Sequence, residues 1–154
     1  MKRVSLNCNW EFAKLPNGKK EYAADQLWET VSLPHTWYEP EESYRGLTVY
    51  RKTVSVDPTW PGVILEFEGA DQSCFVFVNG TQIGQHKGAY ARFRFAVPVA
   101  EVKTGELEIA VFLDNSLNPD VSPNAGDFTI FGGLYRHVNM LIVGNDHFDY
   151  CYYG

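Results

Sequence analysis

Hydrophobic and polar positions alternate with a period of two residues along much of the chain. In the stretch RFRFAV, Arg92 and Arg94 face outward while Phe93 and Phe95 face inward, which is the pattern of a half-buried strand. The stretch LEIAVFL, which begins at Leu107, repeats this alternation. Segments rich in Val, Ile, Phe and Tyr and bounded by Gly, Pro, Asn or Asp favour strands. The predicted strands are residues 3–7, 28–33, 48–56, 63–68, 74–78, 92–99, 107–113 and 134–143.

The connections between these segments fit an antiparallel fold. Asn79 and Gly80 follow an apolar run and predict a two-residue hairpin, because a type I′ turn needs positive φ at both central residues. Only residues 19–29 could pass as a helix, and an irregular loop with one turn is the favoured interpretation. About eight strands at turn spacing, without a helical period, predict an all-β fold, either an antiparallel sandwich or a jelly roll. Binding function is expected on the long irregular stretches 34–46 and 114–133.

Length and charge then limit the classes of protein. A chain of 154 residues is the size of one domain and is too short for a (β/α)₈ barrel, which needs about 250 residues. The net charge of −6 argues against a nucleic-acid partner, because phosphate recognition needs a basic surface. No stretch approaches the roughly 18 apolar residues of a membrane span. The first ten residues lack the apolar stretch of a signal peptide, so the compartment stays open between the cytoplasm and, after removal of a signal, the periplasm or medium.

Most catalytic and metal-binding signatures are absent from the sequence. There is no P-loop, no HExxH and no GxSxG, and the three cysteines and four histidines are too scattered to suggest a disulfide framework or a metal site. Glu41 and Glu42 look like a carboxylate pair, but adjacent loop residues rarely converge on one glycosidic bond. The residues alone therefore predict no catalytic residue and no metal ligand.

What the chain does offer is seven short motifs in a fixed order. They are Leu33-Pro-His-Thr-Trp37, Tyr44-Arg-Gly46, Phe67-Glu-Gly69, Val76-Phe-Val-Asn-Gly80, the segment from Gly84 to Tyr90, Asp114-Asn-Ser116, and the segment from Asp127 to Arg136. In this order and spacing the set resembles the N-terminal domain of glycoside hydrolase family 2, which includes β-galactosidases, β-glucuronidases and β-mannosidases. The resemblance covers nearly the whole chain. It implies a jelly-roll, galactose-binding-like sandwich over residues 1–144 and a linker at 145–154, leading to an immunoglobulin-like domain and a catalytic (β/α)₈ barrel.

The resemblance also implies roles for particular residues. The catalytic glutamates of the family belong to the barrel, so no residue of this chain is catalytic. The aspartate at the position of Asp127 binds a hydroxyl of the substrate sugar, and Phe128 beside it is suited to stack on a sugar C–H face. In some β-galactosidases this aspartate also helps to hold a sodium ion, and no other cofactor is expected. His35 is the member of its motif best placed to touch ligand, whereas Trp37 is expected to pack.

Structural interpretations stand beside these roles. Asp127 could instead lock its own loop, and Arg136 is expected to pair internally. The asparagine that one branch of β-galactosidases presents to substrate has no counterpart near Tyr44, which weakens the argument for galactose specificity.

The predicted function is that of a non-catalytic domain, β-galactosidase-like, that helps to complete the sugar subsite of a separate catalytic barrel in a retaining glycoside hydrolase. Its expected partners are a β-linked sugar and the following domains of the same polypeptide, and a homo-oligomer stays open. One alternative is an autonomous carbohydrate-binding module with an aromatic platform drawn from Trp28, Trp60, Tyr38 and Tyr44. Another is a purely structural domain that only docks its neighbours.

Overall fold

The computed structural model describes residues 1–40, 44–121 and 131–148 of the chain. Its strands are β1 (Lys2–Ser5), β2 (Trp10–Lys14), β3 (Glu29–Val31), β4 (Leu47–Ser55), β5 (Gly62–Phe67), β6 (Ser73–Val78), β7 (Thr81–Lys87), β8 (Phe93–Val97), β9 (Glu106–Asp114) and β10 (Val138–Val143). One short helix, α1 (Val99–Val102), lies between β8 and β9. Within these described ranges, no helix is long and apolar enough to cross a bilayer.

The strands form two antiparallel sheets. One sheet has four strands in the order β1-β10-β5-β8, and the other has six in the order β3-β2-β4-β9-β6-β7. Strand β10 pairs with β1 on one side, with Lys2 opposite Ile142, and with β5 on the other. The predicted all-β sandwich is therefore confirmed.

The main core lies between the two sheets because alternate residues of facing strands point inward. Val63, Leu65 and Phe67 of β5 are buried in this core, and the alternate apolar residues of β9 that begin at Leu107 belong to the same cluster. Burial of each such side chain contributes about 1.5–3 kcal/mol relative to leaving it exposed. Trp10 is also fully buried in this core. The predicted alternation in the strand that contains residues 107–113 is confirmed.

The outer face of the four-stranded sheet carries a buried ion cluster. The Glu66 side chain is fully buried, and its carboxylate lies 2.6 Å from Nη2 of Arg94 and 2.9 Å from Nη2 of Arg3. The amide of Asn139 adds a longer contact of 3.4 Å. Because a buried carboxylate is costly unless it is paired, these two arginines are what allows Glu66 to occupy this position.

All eight predicted strands are present, with ends that move by up to four residues, but the prediction omitted β2 and β7. Strand β2 has only five residues, and four of the seven residues of β7 are exposed, so neither shows a long apolar alternation. The start of the last predicted strand was wrong, because residues 134–137 precede β10. Residues 19–29 form no helix, as predicted. The hairpin is confirmed, since Asn79 and Gly80 have φ values of 48° and 79°. The predicted domain limit at residue 144 stays a prediction.

Candidate functional site

Several chain segments meet at one end of the sandwich. They are residues 33–37 after β3, residues 44–46 before β4, residues 71–72 before β6, Asn115 after β9, and residues 131–134. We call this set the loop cluster. Its segments are tied by hydrogen bonds, among them His35 N to Leu134 O at 2.9 Å and Thr36 Oγ1 to Phe131 O at 2.9 Å. The cluster brings together residues from both of the long irregular stretches in which function was expected.

Gly132 and Gly133 lie at the centre of the loop cluster, and neither position has room for a side chain. Both have positive φ, at 68° and 113°, which favours glycine. A Cβ atom at Gly132 would lie 2.5 Å from Cε2 of Trp37 and 2.8 Å from Nδ2 of Asn115. At Gly133 it would overlap the carbonyl oxygen of His35. The turn is therefore held in one conformation by the residues packed around it.

Asp71 binds this turn through both its backbone and its side chain. Its N–H donates to Gly133 O at 3.0 Å, and its carbonyl accepts from Gly133 N at 3.1 Å. Its carboxylate Oδ2 accepts from Gly132 N at 3.3 Å. The other carboxylate oxygen, Oδ1, is buried and has no hydrogen-bond partner among the residues that the structure describes. Burial raises the pKa of the Asp71 carboxyl, and the Gly132 N–H and the charge of Arg45 act against this rise.

Asn115 connects the end of β9 to the segment that precedes β4. It is fully buried, and its Oδ1 accepts from Gly46 N at 2.9 Å. Its carbonyl oxygen accepts from Nε of Arg45 at 3.0 Å. Its amide nitrogen Nδ2 lies against Gly132 without a hydrogen-bond partner in the described part of the chain. Asn115 was noted in the sequence only within a motif, and Asp71 was missed, although it comes two residues after the Phe67-Glu-Gly69 motif.

His35, a predicted ligand contact, is half-buried at the inner side of the loop cluster. Its Nδ1 lies 2.6 Å from the hydroxyl oxygen of Tyr50. Its ring packs against that of Phe12, with ring centroids 4.9 Å apart. Burial lowers the pKa of His35, while the nearby charge of Glu29 opposes the change. His35 is therefore neutral near pH 7 and is held by core residues. Its contact with a ligand stays a prediction. Trp37 packs as predicted and is 4% exposed.

Asp127 and Phe128, the other two predicted sugar contacts, lie outside the described residues, so their roles stay predictions. The described chain resumes at Phe131, whose side chain is 48% exposed. Its ring packs edge-on against Tyr38, with centroids 5.2 Å apart. In the sequence, the two predicted contacts come four and three residues before Phe131.

The four aromatic residues suggested for an autonomous module do not share one surface. Trp28 belongs to a cluster on the outer face of the six-stranded sheet, where the guanidinium of Arg51 covers it at 4.3 Å. Trp60 and Tyr44 pack against the main core instead. Tyr38 alone of the four has its ring against an exposed aromatic residue in the loop cluster, Phe131.

Two further expectations concern Arg136 and metal binding. The Nη1 group of Arg136 donates to Tyr90 O at 3.0 Å and to Glu68 O at 3.3 Å, so the predicted internal pairing of this residue is confirmed. Among the described residues, no group of three or more His, Cys, Asp and Glu side chains is placed to hold a metal ion.

Comparison with known proteins decides the family. The family described as "Glycosyl hydrolases family 2, sugar binding domain" matches residues 19–143. The chain belongs to glycoside hydrolase family 2. Within that family it corresponds to the N-terminal sugar-binding domain, and the jelly-roll sandwich expected from the motifs is confirmed by its solved structural neighbours.

Relatives of this family 2 domain are bacterial glycosidases. It is 35% identical to a β-galactosidase of Thermoanaerobacter pseudethanolicus, over 99% of this chain and 23% of the relative. It is 33% identical to a β-glucuronidase of Bacteroides fragilis, over 90% of this chain and 20% of the relative. The solved structure of an FMN-binding β-glucuronidase from Facaelibacterium prausnitzii L2-6 superposes with a TM-score of 0.83 at 34% identity, over 98% of this chain and 24% of that one. The domain thus spans about a fifth of the length of the curated relatives that it matches.

Proposed function

We propose that this domain is part of a retaining family 2 β-glycosidase and completes the sugar subsite of a catalytic barrel in the same polypeptide. In this proposal, Asp127 accepts hydrogen bonds from a sugar hydroxyl, and Phe128 packs on a C–H face of the sugar. The observation that supports it is the turn at Gly132 and Gly133, which is tied to Asp71 and follows Phe128 by four residues in the sequence. The family match supports the class of ligand.

The chemistry of the subsite follows from the residue types. An ionised carboxylate accepts shorter and stronger hydrogen bonds than a neutral acceptor does, so Asp127 can select the position of a hydroxyl. An aromatic ring offers an apolar face to the C–H side of a sugar. Cleavage of the glycosidic bond is assigned to two carboxylates of the barrel about 5–5.5 Å apart, which is the spacing of retaining glycosidases. The domain then contributes binding and orientation to the reaction.

The proposed substrate class is a β-linked galactoside or a β-linked glucuronide. These are the sugars in the names of the relatives. The missing asparagine near Tyr44 weakens a close analogy with one branch of β-galactosidases, so the test includes both galactoside and glucuronide substrates. Aryl β-galactoside and aryl β-glucuronide substrates distinguish them directly.

The test of the subsite is Asp127→Ala in the longer enzyme that carries this domain. Asp120→Ala is the matched control, because Asp120 lies on the same irregular stretch and is exposed. The expected result for Asp127→Ala is a higher KM and a kcat/KM lowered at least tenfold, with an unchanged circular dichroism spectrum. Kinetics equal to those of the Asp120→Ala control would refute the assignment.

A second candidate function, an autonomous carbohydrate-binding module, is favoured by the exposed ring of Phe131 beside Tyr38. Calorimetry of the 154-residue chain with galactose, glucuronate and a β-linked oligosaccharide separates the two candidates. Millimolar or tighter binding by the isolated chain supports the module. Absence of binding supports a subsite that needs the barrel.

A further inference from the structure

The segment that enters the loop cluster is tied down at three consecutive residues. The carbonyl of Phe131 accepts from the Thr36 hydroxyl at 2.9 Å, the N–H of Gly132 donates to the Asp71 carboxylate at 3.3 Å, and Gly133 exchanges two backbone hydrogen bonds with Asp71. Two of these three anchors belong to Asp71. The Asp71 side chain therefore contributes to how Gly132 is held, whereas its backbone bonds could form with any residue other than proline at the position.

Desolvation makes a carboxylate such as that of Asp71 energetically costly for a bond that is purely structural. Asp71 is half-buried, and its Oδ1 atom is buried without a hydrogen-bond partner within the described ranges. A neutral acceptor could bind the same N–H with a smaller desolvation penalty. A carboxylate, however, makes a charge-assisted bond that is roughly twice as strong as a neutral one. The arrangement thus places a charged acceptor 3.3 Å from the Gly132 N–H despite the cost of burial.

We propose that Asp71 is a positioning residue for the sugar subsite, acting through the Gly132–Gly133 turn on the preceding segment that carries Asp127. The inference rests on the proposed function, since Asp71 acts on the substrate only through Asp127. Asp127 precedes Gly132 by five residues, so the direction in which the chain leaves Gly132 limits where its carboxylate can lie.

The packing around the turn makes such an effect direct. A Cβ atom at Gly132 would lie 2.5 Å from the buried indole of Trp37, and Nδ2 of the fully buried Asn115 lies on the same side. Close packing of this kind leaves few alternative positions for the turn while the bond to Asp71 is intact. Loss of that bond leaves the N–H of the buried Gly132 without this acceptor. Misplacement of a binding group by about 1 Å can cost up to a hundredfold in rate.

A double-mutant cycle in the longer enzyme tests the proposal. The cycle compares wild type, Asp71→Ala, Asp127→Ala and the double variant, with kcat and KM measured for each. Asp57→Ala is the control, because the Asp57 carboxylate also binds a turn, through Thr59 N and Oγ1 at 2.8 and 2.6 Å, but in an exposed loop elsewhere. We expect Asp71→Ala to lower kcat/KM about tenfold, mainly through KM, when Asp127 is present. In the Asp127→Ala background the same change is expected to cost less than twofold.

Two results would overturn the proposal. An equal loss in both backgrounds means that Asp71 supports the fold in general, and no loss in either background means that the turn does not depend on its carboxylate. If Asp127→Ala leaves kcat/KM unchanged, that separate outcome refutes the proposed function itself.

Asp71→Asn provides a second measurement if Asp71→Ala does not fold. Asparagine keeps an acceptor for Gly132 N but loses its charge, so it should recover only part of kcat/KM, and its remaining loss should also vanish in the Asp127→Ala background. A loss for Asp71→Asn that persists there contradicts the proposal.

Discussion

Alanine at Gly132 should destabilise the domain more than alanine at Gly18, although the two glycines have almost the same φ angle. Their φ values are 68° and 69°. The left-handed conformation costs a non-glycine residue roughly 1–2 kcal/mol, and the lower entropy of the unfolded alanine chain returns about 0.4–1 kcal/mol. At Gly18 nothing lies within 4 Å of an added Cβ, so the expected loss there is about 1 kcal/mol or less.

At Gly132 the added methyl group meets the indole ring of Trp37, with Cε2 at 2.5 Å. This ring is buried, and its Nε1 donates to Tyr44 O at 3.1 Å, so it cannot move aside freely. Overpacking of this kind costs about 1–3 kcal/mol, which brings the expected total to about 1–4 kcal/mol. For a chain of this size each kcal/mol lowers Tm by about 2–4 °C.

The assay is urea unfolding of both variants and wild type, followed by tryptophan fluorescence, with Tm from circular dichroism. The denaturant slope should be the same for all three chains. A loss at Gly132 equal to or smaller than the loss at Gly18 would refute the packing described for the turn, and with it the basis for the roles of Asp71 and Asp127.

Two further predictions concern titratable groups, one fully buried and one half-buried. Glu66→Ala should lower the free energy of unfolding by about 2 kcal/mol or more, because it leaves the arginines at positions 3 and 94 without their shared carboxylate. Glu21→Ala removes an exposed ion pair with Lys19 and should lower it by less than about 0.5 kcal/mol. Equal urea midpoints for the two variants would contradict this. His35 has a pKa lowered from 6.5 by burial, so the unfolded chain takes up its proton first, and the free energy of unfolding should fall as the pH drops below about 6.5. His35→Gln should reduce this dependence of the free energy of unfolding on pH. Urea midpoints that change with pH in the same way for wild type and His35→Gln between pH 5 and 7.5 would disprove it.

Local patterns predicted the framework of the fold because they act over a few residues. The alternation in β9 and the Asn79–Gly80 turn depend on period and backbone conformation alone, and both are present. Strand β7 escaped prediction because it lies at a sheet edge, where polar side chains are tolerated and the alternation fades. The helix α1 follows Pro98 within a stretch too short to show a helical period.

The candidate site was harder to predict because it is assembled from distant parts of the chain. Gly132 and Gly133 lie within the last of the seven motifs, but the partner that fixes them, Asp71, is about sixty residues earlier. No local pattern marks that pairing. His35 was singled out as a ligand contact from its motif, but its hydrogen bond to Tyr50 arises only when β3 and β4 come together around β2.

The most direct test of the central claim is a crystal structure of the longer enzyme with a bound sugar inhibitor of its preferred class. The account predicts that a carboxylate oxygen of Asp127 lies about 2.5–3.0 Å from a sugar hydroxyl, with Gly132 N still bound to the Asp71 carboxylate. A sugar whose polar contacts all come from the barrel, with Asp127 turned away from it, would contradict the account.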